Sequence, residues 1–350
     1  MKRLAALLAL VLVLGVPAVG AGEPEGSAFT AHEHPGVNGS PALTYWVYRP
    51  ARLQPPKRRA VVVYLHGCTQ AGPDAAVGTR WNELADREGI VVVYPEQSTA
   101  YNGTQCWNWF LPDHQTRGAG EPATIAAITD TVVRAYKANP GKIYVIGASA
   151  GADMATIVAA TYPDRFAAVA AFAGCAYLSC ADVTGAAAHA AMGPHARVVP
   201  ALIGQGTADP LNNPLLGETA VRQWVGTNDL ADDGEANGSV PATPSRTEHR
   251  GMDDSLADGA GTVGDTCVRN KQFPCAGAVL GLEEYPVTIR SHDDSTGCAV
   301  VESWLVHGLS HDYPGGDPRG SFTDPIGPDI TSAAWDFFAR HRLGALPCEG

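Results

Sequence analysis

Long apolar runs are missing from most of this chain of 350 residues. Past the first few residues nothing approaches the ~20 apolar residues of a membrane-spanning helix, so no span is expected. Positive charge is also scarce: 24 Lys and Arg stand against 36 Asp and Glu. Such a surface repels nucleic acid and anionic membrane and gives no electrostatic reason to expect a polyanionic substrate. There is no C-x-x-C pair and no cluster of histidines to complete a zinc set, so no metal is expected. Internal repeats and low-complexity tails are absent too, which leaves one large domain as the expected organisation.

What is present begins with export. Met-Lys-Arg leads into an apolar run from Leu4 to Val13, closed by the small residues Ala18-Val19-Gly20-Ala21. This is the layout of a signal peptide over 1–21, cleaved after Ala21. Its apolar run is too short to span a membrane, and no cysteine lies near the cleavage site to carry a lipid anchor. The mature protein is therefore expected to be secreted, a single catalytic domain over 22–350. Without Lys2 and Arg3 it carries 22 basic and 36 acidic residues, a net charge of −14. All eight cysteines (68, 106, 175, 180, 267, 275, 298, 348) fall in it. An even count in an exported chain points to disulfides, up to four, although eight cysteines allow 105 pairings and spacing does not choose among them.

Strands alternate with helices along the chain. Residues 22–40 read as irregular and Leu43–Tyr48 as an edge strand. Arg59–Leu65 and Gly89–Tyr94 are continuous apolar runs of the kind buried in parallel sheets, the second stopped by Pro95. Helical spacing follows at Trp81–Glu88 and at Glu121–Asn139. Further strands are predicted at Ile143, Phe166–Phe172, Val198–Gly204, Tyr285–Ser291 and Ala299–Leu305. Helices are predicted over Ala150–Tyr162, to an end near Trp224, and over Ile330–His341. The fold class is α/β, a mostly parallel sheet with helices on both faces. From Gly226 to Gly281 Gly, Ala, Asp and Ser dominate and periodicity vanishes, so 226–281 reads as an insertion and a candidate lid, with Cys267 and Cys275 as a staple. Its pieces Asp229–Asp233 and Asp253-Asp254 lack a calcium-loop pattern and read as solvated loop.

The strongest chemical signal is Gly147-Ala148-Ser149-Ala150-Gly151, between a strand and an Ala-rich helix. A serine on so sharp a turn is exposed as a nucleophile, and the helix N-terminus aims N–H groups at any oxyanion formed there. Serine needs a histidine base oriented by a carboxylate, and in the α/β-hydrolase fold these follow in the order Ser, Asp, His on loops after strands. Asp209, after the Val198–Gly204 strand, is the expected acid; a turn Asp before Pro210 is its bland reading. After Ala299–Leu305 two histidines compete. His307 abuts the strand, where packing would hold it, and His311 on the Gly-flanked loop is the preferred base. Asp312 beside it reads as a loop or rim residue. The oxyanion hole is assigned to the amides of Ala150 and Cys68, the latter on the loop Leu65-His66-Gly67-Cys68-Thr69-Gln70. Cys68 as a thiol nucleophile is the rival reading, and half of a disulfide accounts for it better.

With these pieces placed, the chain resembles the secreted esterases of the polyhydroxybutyrate depolymerase family, α/β-hydrolases related to feruloyl and acetylxylan esterases. The resemblance rests on 65–70, Tyr-Pro-Glu-Gln (94–97), Cys106-Trp-Asn-Trp-Phe110 and 146–154. It continues through Tyr162–Phe166, Gly206–Pro210, Gly308–Gly316 and Gly320–Asp329. It implies Ser149 as nucleophile, Asp209 as acid, His311 as base, a Cys68–Cys106 disulfide with the Cys68 backbone at the oxyanion hole, and no metal or organic cofactor. The family usually has Trp where Tyr313 stands, near the acyl chain, and the 102 positions from Asp209 to His311 are stretched by the 226–281 segment. Trp107, Trp109 and Tyr313, with Phe110, are candidate apolar walls for substrate, against simple packing around Cys106 for the tryptophans. The expected reaction is acyl transfer on carboxylic esters: hydroxyalkanoate polymer or hydroxybutyrate oligomers, with feruloyl or acetylxylan esters, β-diketones of oxidised polyvinyl alcohol, and a silent binding module as alternatives. The chain ends ten residues after Arg340, so no separate polymer-binding module is expected, which favours soluble or oligomeric esters. Oligomeric state is not readable.

Overall fold

The computed structural model describes residues 26–251, 284–345 and 348. Its centre is a run of short, apolar strands. β1 (Ala28–His34) and β2 (Leu43–Arg49) precede β3 (Val61–Leu65), α1 (Gly72–Thr79), α2 (Trp81–Glu88) and β4 (Val91–Glu96). α3 (Gly120–Tyr136), β5 (Ile143–Ala148), α4 (Ala150–Thr161), β6 (Ala168–Phe172) and α5 (Ala186–Met192) follow. The chain continues through β7 (Ala201–Gly206), α6 (Pro214–Asp233), β8 (Arg246–Arg250), β9 (Val287–Asp293) and β10 (Ala299–Val306). It closes with the two-residue strands β11 (Tyr313–Pro314) and β12 (Thr323–Asp324) and the helix α7 (Ile330–Ala339).

The strands form a ten-stranded sheet in the order β1-β2-β4-β3-β5-β6-β7-β10-β9-β8. The six from β4 to β10 in this order are parallel, and the flanking strands are antiparallel. All five residues of β3 are buried because successive side chains feed opposite cores. Val61, Val63 and Leu65 join Ile125, Met154, Ile157 and Trp224 from the helices on one face, whereas Val62 and Tyr64 join Trp81, Leu84, Phe337 and Phe338 on the other. This two-sided burial is why the strands read as unbroken apolar runs.

Several boundaries differ from expectation. β1 occupies part of the leader read as irregular, so β2 lies second from the edge. Its side chains are largely exposed, although Phe29 packs against the core, and its definition comes from pairing Ala28–His34 with Leu43–Arg49. Pro95 sits inside β4; β3 pairs with β4 only as far as Val93, so the missing N–H breaks no ladder on that side. α6 runs past Trp224 to Asp233, so the first eight residues of the 226–281 segment are helix, and Arg246–Arg250 adds β8 to the sheet edge. Asp229 is buried rather than solvated: it accepts from Gly238 N, Ser239 Oγ and Val240 N at 2.9–3.2 Å and folds the chain back onto α6. Asp253, Asp254, Cys267 and Cys275 lie outside the described residues, as does the signal peptide. Among the described residues no helix is long and apolar enough to cross a membrane.

Glu121, in the first turn of α3, is fully buried, where the helix dipole favours its charge. It accepts from Asn108 N at 2.7 Å, Asn108 Nδ2 at 2.6 Å and Gln97 Nε2. These bonds fasten the long loop between β4 and α3. Glu121→Ala strands three buried donors, and urea unfolding should show a loss of about 3 kcal/mol or more; an unchanged midpoint would refute this anchoring role.

Candidate active site

β5 ends at Ala148 and α4 begins at Ala150, leaving Ser149 alone to turn the chain, with φ 54° and ψ −128°. A side chain at φ > 0 is strained and persists only where its surroundings enforce it. Two contacts do so. A Cβ on Gly147 would overlap the Gly151 carbonyl, and one on Gly151 would overlap the Leu65 carbonyl of β3. Ser149 N donates to Phe172 O at 2.9 Å, which fixes the turn from the β6 side.

Ser149 Oγ lies 2.9 Å from His311 Nε2, and His311 Nδ1 lies 2.7 Å from Asp209 Oδ2. Asp209 is buried, yet each oxygen is served: Oδ1 accepts from Leu211 N and Asn212 N at 2.9 and 2.8 Å, and Oδ2 accepts from Gln205 Nε2 at 3.2 Å. Those bonds stabilise a carboxylate away from bulk water. With Asp209 accepting from Nδ1–H, the lone pair on Nε2 faces the serine. The rival His307 is bonded to Thr288 Oγ1 at 2.9 Å, half-buried, and burial lowers its pKa.

The loop after β3 lies against Ser149. Gly67 N donates to Gln70 Oε1 at 2.8 Å and Thr69 N to Thr104 O at 2.7 Å, while Cys68 N between them has no partner among the described residues. Ala150 N is the first amide of α4, which no helical turn can satisfy. His66, missed in the sequence, is buried and neutral, its pKa lowered first by desolvation. Its Nε2 accepts from Gln97 N at 3.0 Å, so its Nδ1–H donates to Gly67 O at 2.7 Å. Gln70 also reaches Ser321 O at 2.9 Å, 251 positions away, and both Gln70 and Ser321 bond Asp74.

A cavity of about 190 Å³ opens over Ser149 and His311, walled by Tyr64, Phe172, Leu211, Asn212, Tyr313 and Phe322. Tyr313 is thus on the wall, its hydroxyl already bonded to Thr331 Oγ1 at 2.8 Å and its ring set edgewise to Tyr64 and Phe172. Trp107 and Trp109 are not. Trp107 is wholly buried behind the Cys68 loop, donates to His66 O at 3.0 Å and packs on the His66 ring, and Trp109 packs at the core margin beside Phe110. For these two, packing around Cys106 describes their surroundings. Asn212, missed in the sequence, donates from Nδ2 to Ala173 O and brings the Asp209 loop to the cavity.

Cys68 and Cys106 are bridged, as are Cys298 and Cys348, while Cys175 and Cys180 are unbridged neighbours. The one group with metal-ligand spacing among the described residues is Cys298, His341 and Cys348, whose sulfurs are spent on each other.

Asp312 is not at the rim. It is buried, and desolvation, reinforced by Asp324 and opposed by His311, raises its pKa to about 6. Asp153, one turn into α4 below Ser149, is raised to about 7 by burial, against the pull of Cys175 N, which donates to it. Unfolded, this carboxyl titrates near its ordinary value of about 4. Between those values the native state holds a proton that the unfolded chain has lost, so this group's contribution to stability falls as pH rises from about 4 to about 7. Asp153→Asn, with a neutral amide in its place, should lose less stability than wild type between pH 5 and pH 8; equal losses in paired urea titrations would refute the shift.

Comparison with known proteins agrees with this architecture. The acetyl xylan esterase from Aspergillus awamori superposes with a TM-score of 0.60, over 89% of this chain and 99% of that one, at 20% identity, which shows a shared fold. The sheet order and the strand-to-helix elbow are those of an α/β-hydrolase. A family model described as esterase PHB depolymerase matches residues 43–214. The poly(3-hydroxyalkanoate) depolymerase C of Paucimonas lemoignei is 33% identical over 266 residues, covering 72% of this chain and 60% of that one. Feruloyl esterase B of Neurospora crassa is 35% identical over 39% of this chain and 45% of its own length, and a probable acetylxylan esterase A of Aspergillus fumigatus 35% identical over 43% and 40%. The chain thus spans between two fifths and three fifths of these relatives. It belongs to the esterase PHB depolymerase family.

Proposed function

We propose that this protein is a secreted serine esterase that cleaves carboxylic esters through an acyl-enzyme on Ser149, with Asp209 and His311 completing a triad. The observation that carries this reading is the unbroken chain of contacts from Ser149 Oγ through His311 to Asp209 Oδ2, at 2.9 and 2.7 Å. Such spacing is within hydrogen-bond reach for proton transfer.

In the reaction, His311 Nε2 takes the Ser149 proton as Oγ attacks the ester carbonyl. Asp209, which accepts four hydrogen bonds, holds the imidazolium that forms. The amides of Cys68 and Ala150 receive the oxyanion. His311 then protonates the leaving alcohol, and water repeats the sequence to release the acid. The acyl group lies against Tyr64, Phe172 and Tyr313, whose hydroxyl is already spent on Thr331. This apolar wall favours a short or oligomeric hydroxyalkanoyl ester. The named activity of the Paucimonas lemoignei relative supports the same class. Two internal disulfides support an exported protein.

Ser149→Ala should lower kcat on p-nitrophenyl esters by about 10⁴-fold or more with the melting temperature retained, and a fluorophosphonate should label wild type but not the variant. Wild-type rates in Ser149→Ala would overturn the assignment. On a panel of hydroxybutyrate oligomers, methyl ferulate, acetylated xylan and a β-diketone, hydroxybutyrate oligomers should give the highest kcat/KM. Cleavage of ferulate or acetylated xylan alone would move the protein to the plant-wall class.

A further inference from the structure

Cys175 and Cys180, unbridged among the described residues, stand side by side on the loop that leaves β6. Cys180 Sγ accepts from Ala176 N, the amide next to Cys175, at 3.2 Å. The Cys175 thiol donates to the same sulfur. Both residues are partly exposed and Ser179 between them is open to solvent, so a small reagent can reach the pair.

The turn that brings them together is strained. Leu178, Ser179 and Cys180 have φ of 57°, 51° and 60°, a conformation that side chains disfavour and that persists only where the surroundings enforce it. Cys180 N donates to Ala176 O at 3.3 Å and Ala181 N to Leu178 O at 2.9 Å. From α6, Gln223 Nε2 donates to the carbonyls of Tyr177 and Asp182 at 2.8 and 2.6 Å. A few hydrogen bonds thus hold three successive left-handed residues, none of them glycine. A covalent tie between the ends of this turn holds the same conformation without moving either sulfur far.

The two sulfurs also differ in reactivity. The bond from Cys175 lowers the pKa of Cys180, helped by Ala176 N and opposed by burial and Asp153. The same bond, with burial, raises that of Cys175. Cys180 is therefore the thiolate, the form that attacks a disulfide, and Cys175 is the proton-bearing partner.

We propose that Cys175 and Cys180 are a modification site, closed to a third disulfide by a reagent of the disulfide class, RS–SR. Cys180 Sγ attacks one sulfur of the reagent, forming a mixed disulfide and expelling RS⁻, which takes the Cys175 proton. Cys175 Sγ then displaces the second RS⁻ from Cys180, and solvent returns to it the proton that Cys180 had given up. Two electrons pass from the cysteine pair to the reagent, which leaves as two thiols.

The bond joins the two helices on either side of the candidate site. Cys175 is fastened to α4, its N donating to Asp153 and its O accepting from Thr156 Oγ1 at 3.3 Å. Cys180 Sγ lies 3.8 Å from Leu216 O in the first turn of α6. Between these anchors Ala173 O holds Asn212 Nδ2, and Asn212 N donates to Asp209 Oδ1 at 2.8 Å. Closing the bond therefore steadies the Asp209 loop against the helix that carries Ser149, with Asn212 as the link. This second part rests on the esterase reading of Ser149, whereas the bond itself does not.

Peptide mapping of the whole protein after incubation with oxidised glutathione tests the bond. In wild type the peptide carrying both cysteines should lose two hydrogens and take up no iodoacetamide. In C175S, Cys180 should retain the mixed glutathione disulfide that wild type resolves. Two alkylated cysteines in that peptide of oxidised wild type, or a link from either one to Cys267 or Cys275, overturns the site. Faster glutathione uptake by Cys175 in C180S than by Cys180 in C175S overturns the assignment of attacker and resolver. On p-nitrophenyl butyrate, oxidised wild type should show a kcat about fivefold above that of C175S/C180S, and in an Asn212→Ala background the gap should shrink to less than about twofold. No gap at all, or the same gap in both backgrounds, overturns the coupling through Asn212. If wild type hydrolyses no ester at all, the esterase reading fails, and the peptide map still decides the bond.

Discussion

Everything about the position of Ser149 depends on how closely α4 is allowed to approach β3. Gly151 brings the first turn of the helix against the Leu65 and His66 carbonyls, and Gly147 lets the helix pass over the end of β5. With any side chain at either place the two elements would separate, and Ser149 could relax out of its φ of 54°. The strain at one residue is thus held by the packing of a strand and a helix that both belong to the central core. The loop carrying Cys68 leaves the same strand a residue later, so its free amide is delivered beside Ser149 by that contact.

Around this point the molecule keeps an unusual amount of polar chemistry dry. Asp209 and Glu121 are buried with every neighbouring donor turned toward them, whereas Asp153 and Asp312 are buried with fewer bonds and shift toward the neutral form. The contrast follows from the donors. Asp209 gathers two backbone amides, a glutamine and a histidine, but Asp312 faces other carboxyl groups.

Much of this was readable before any coordinates. The Val-rich runs of β3 and β4 announce strands buried on both faces, and Ser149, Asp209 and His311 each follow an apolar run in the order the fold demands. What could not be read depends on contacts distant in sequence. β1 is largely exposed and is defined by β2, and β8 is exposed at every residue and is defined by β9. α6 continues through Gly226 because the absence of a side chain there admits the Thr184 carbonyl, so a residue that looks like a helix breaker marks close packing. Trp107 was open to two readings, a substrate wall or packing beside Cys106, because linear proximity to the bridge does not say on which side of it the indole lies. Asp312 looked like a loop or rim residue because its burial and its acidic neighbours, Asp324 and Asp209, are not visible in the local sequence.

Gln70 joins two parts of the chain far apart in sequence, as Asp74 does through Ser321. Its oxygen holds the Gly67 amide next to Cys68, and its nitrogen holds Ser321 in the segment that follows His311. One rigid planar group therefore spans from the Gly67–Cys68 loop to the segment that follows His311. The width of one amide separates the β3 loop from that segment, and the Asp74 bonds to Ser321 brace the same span.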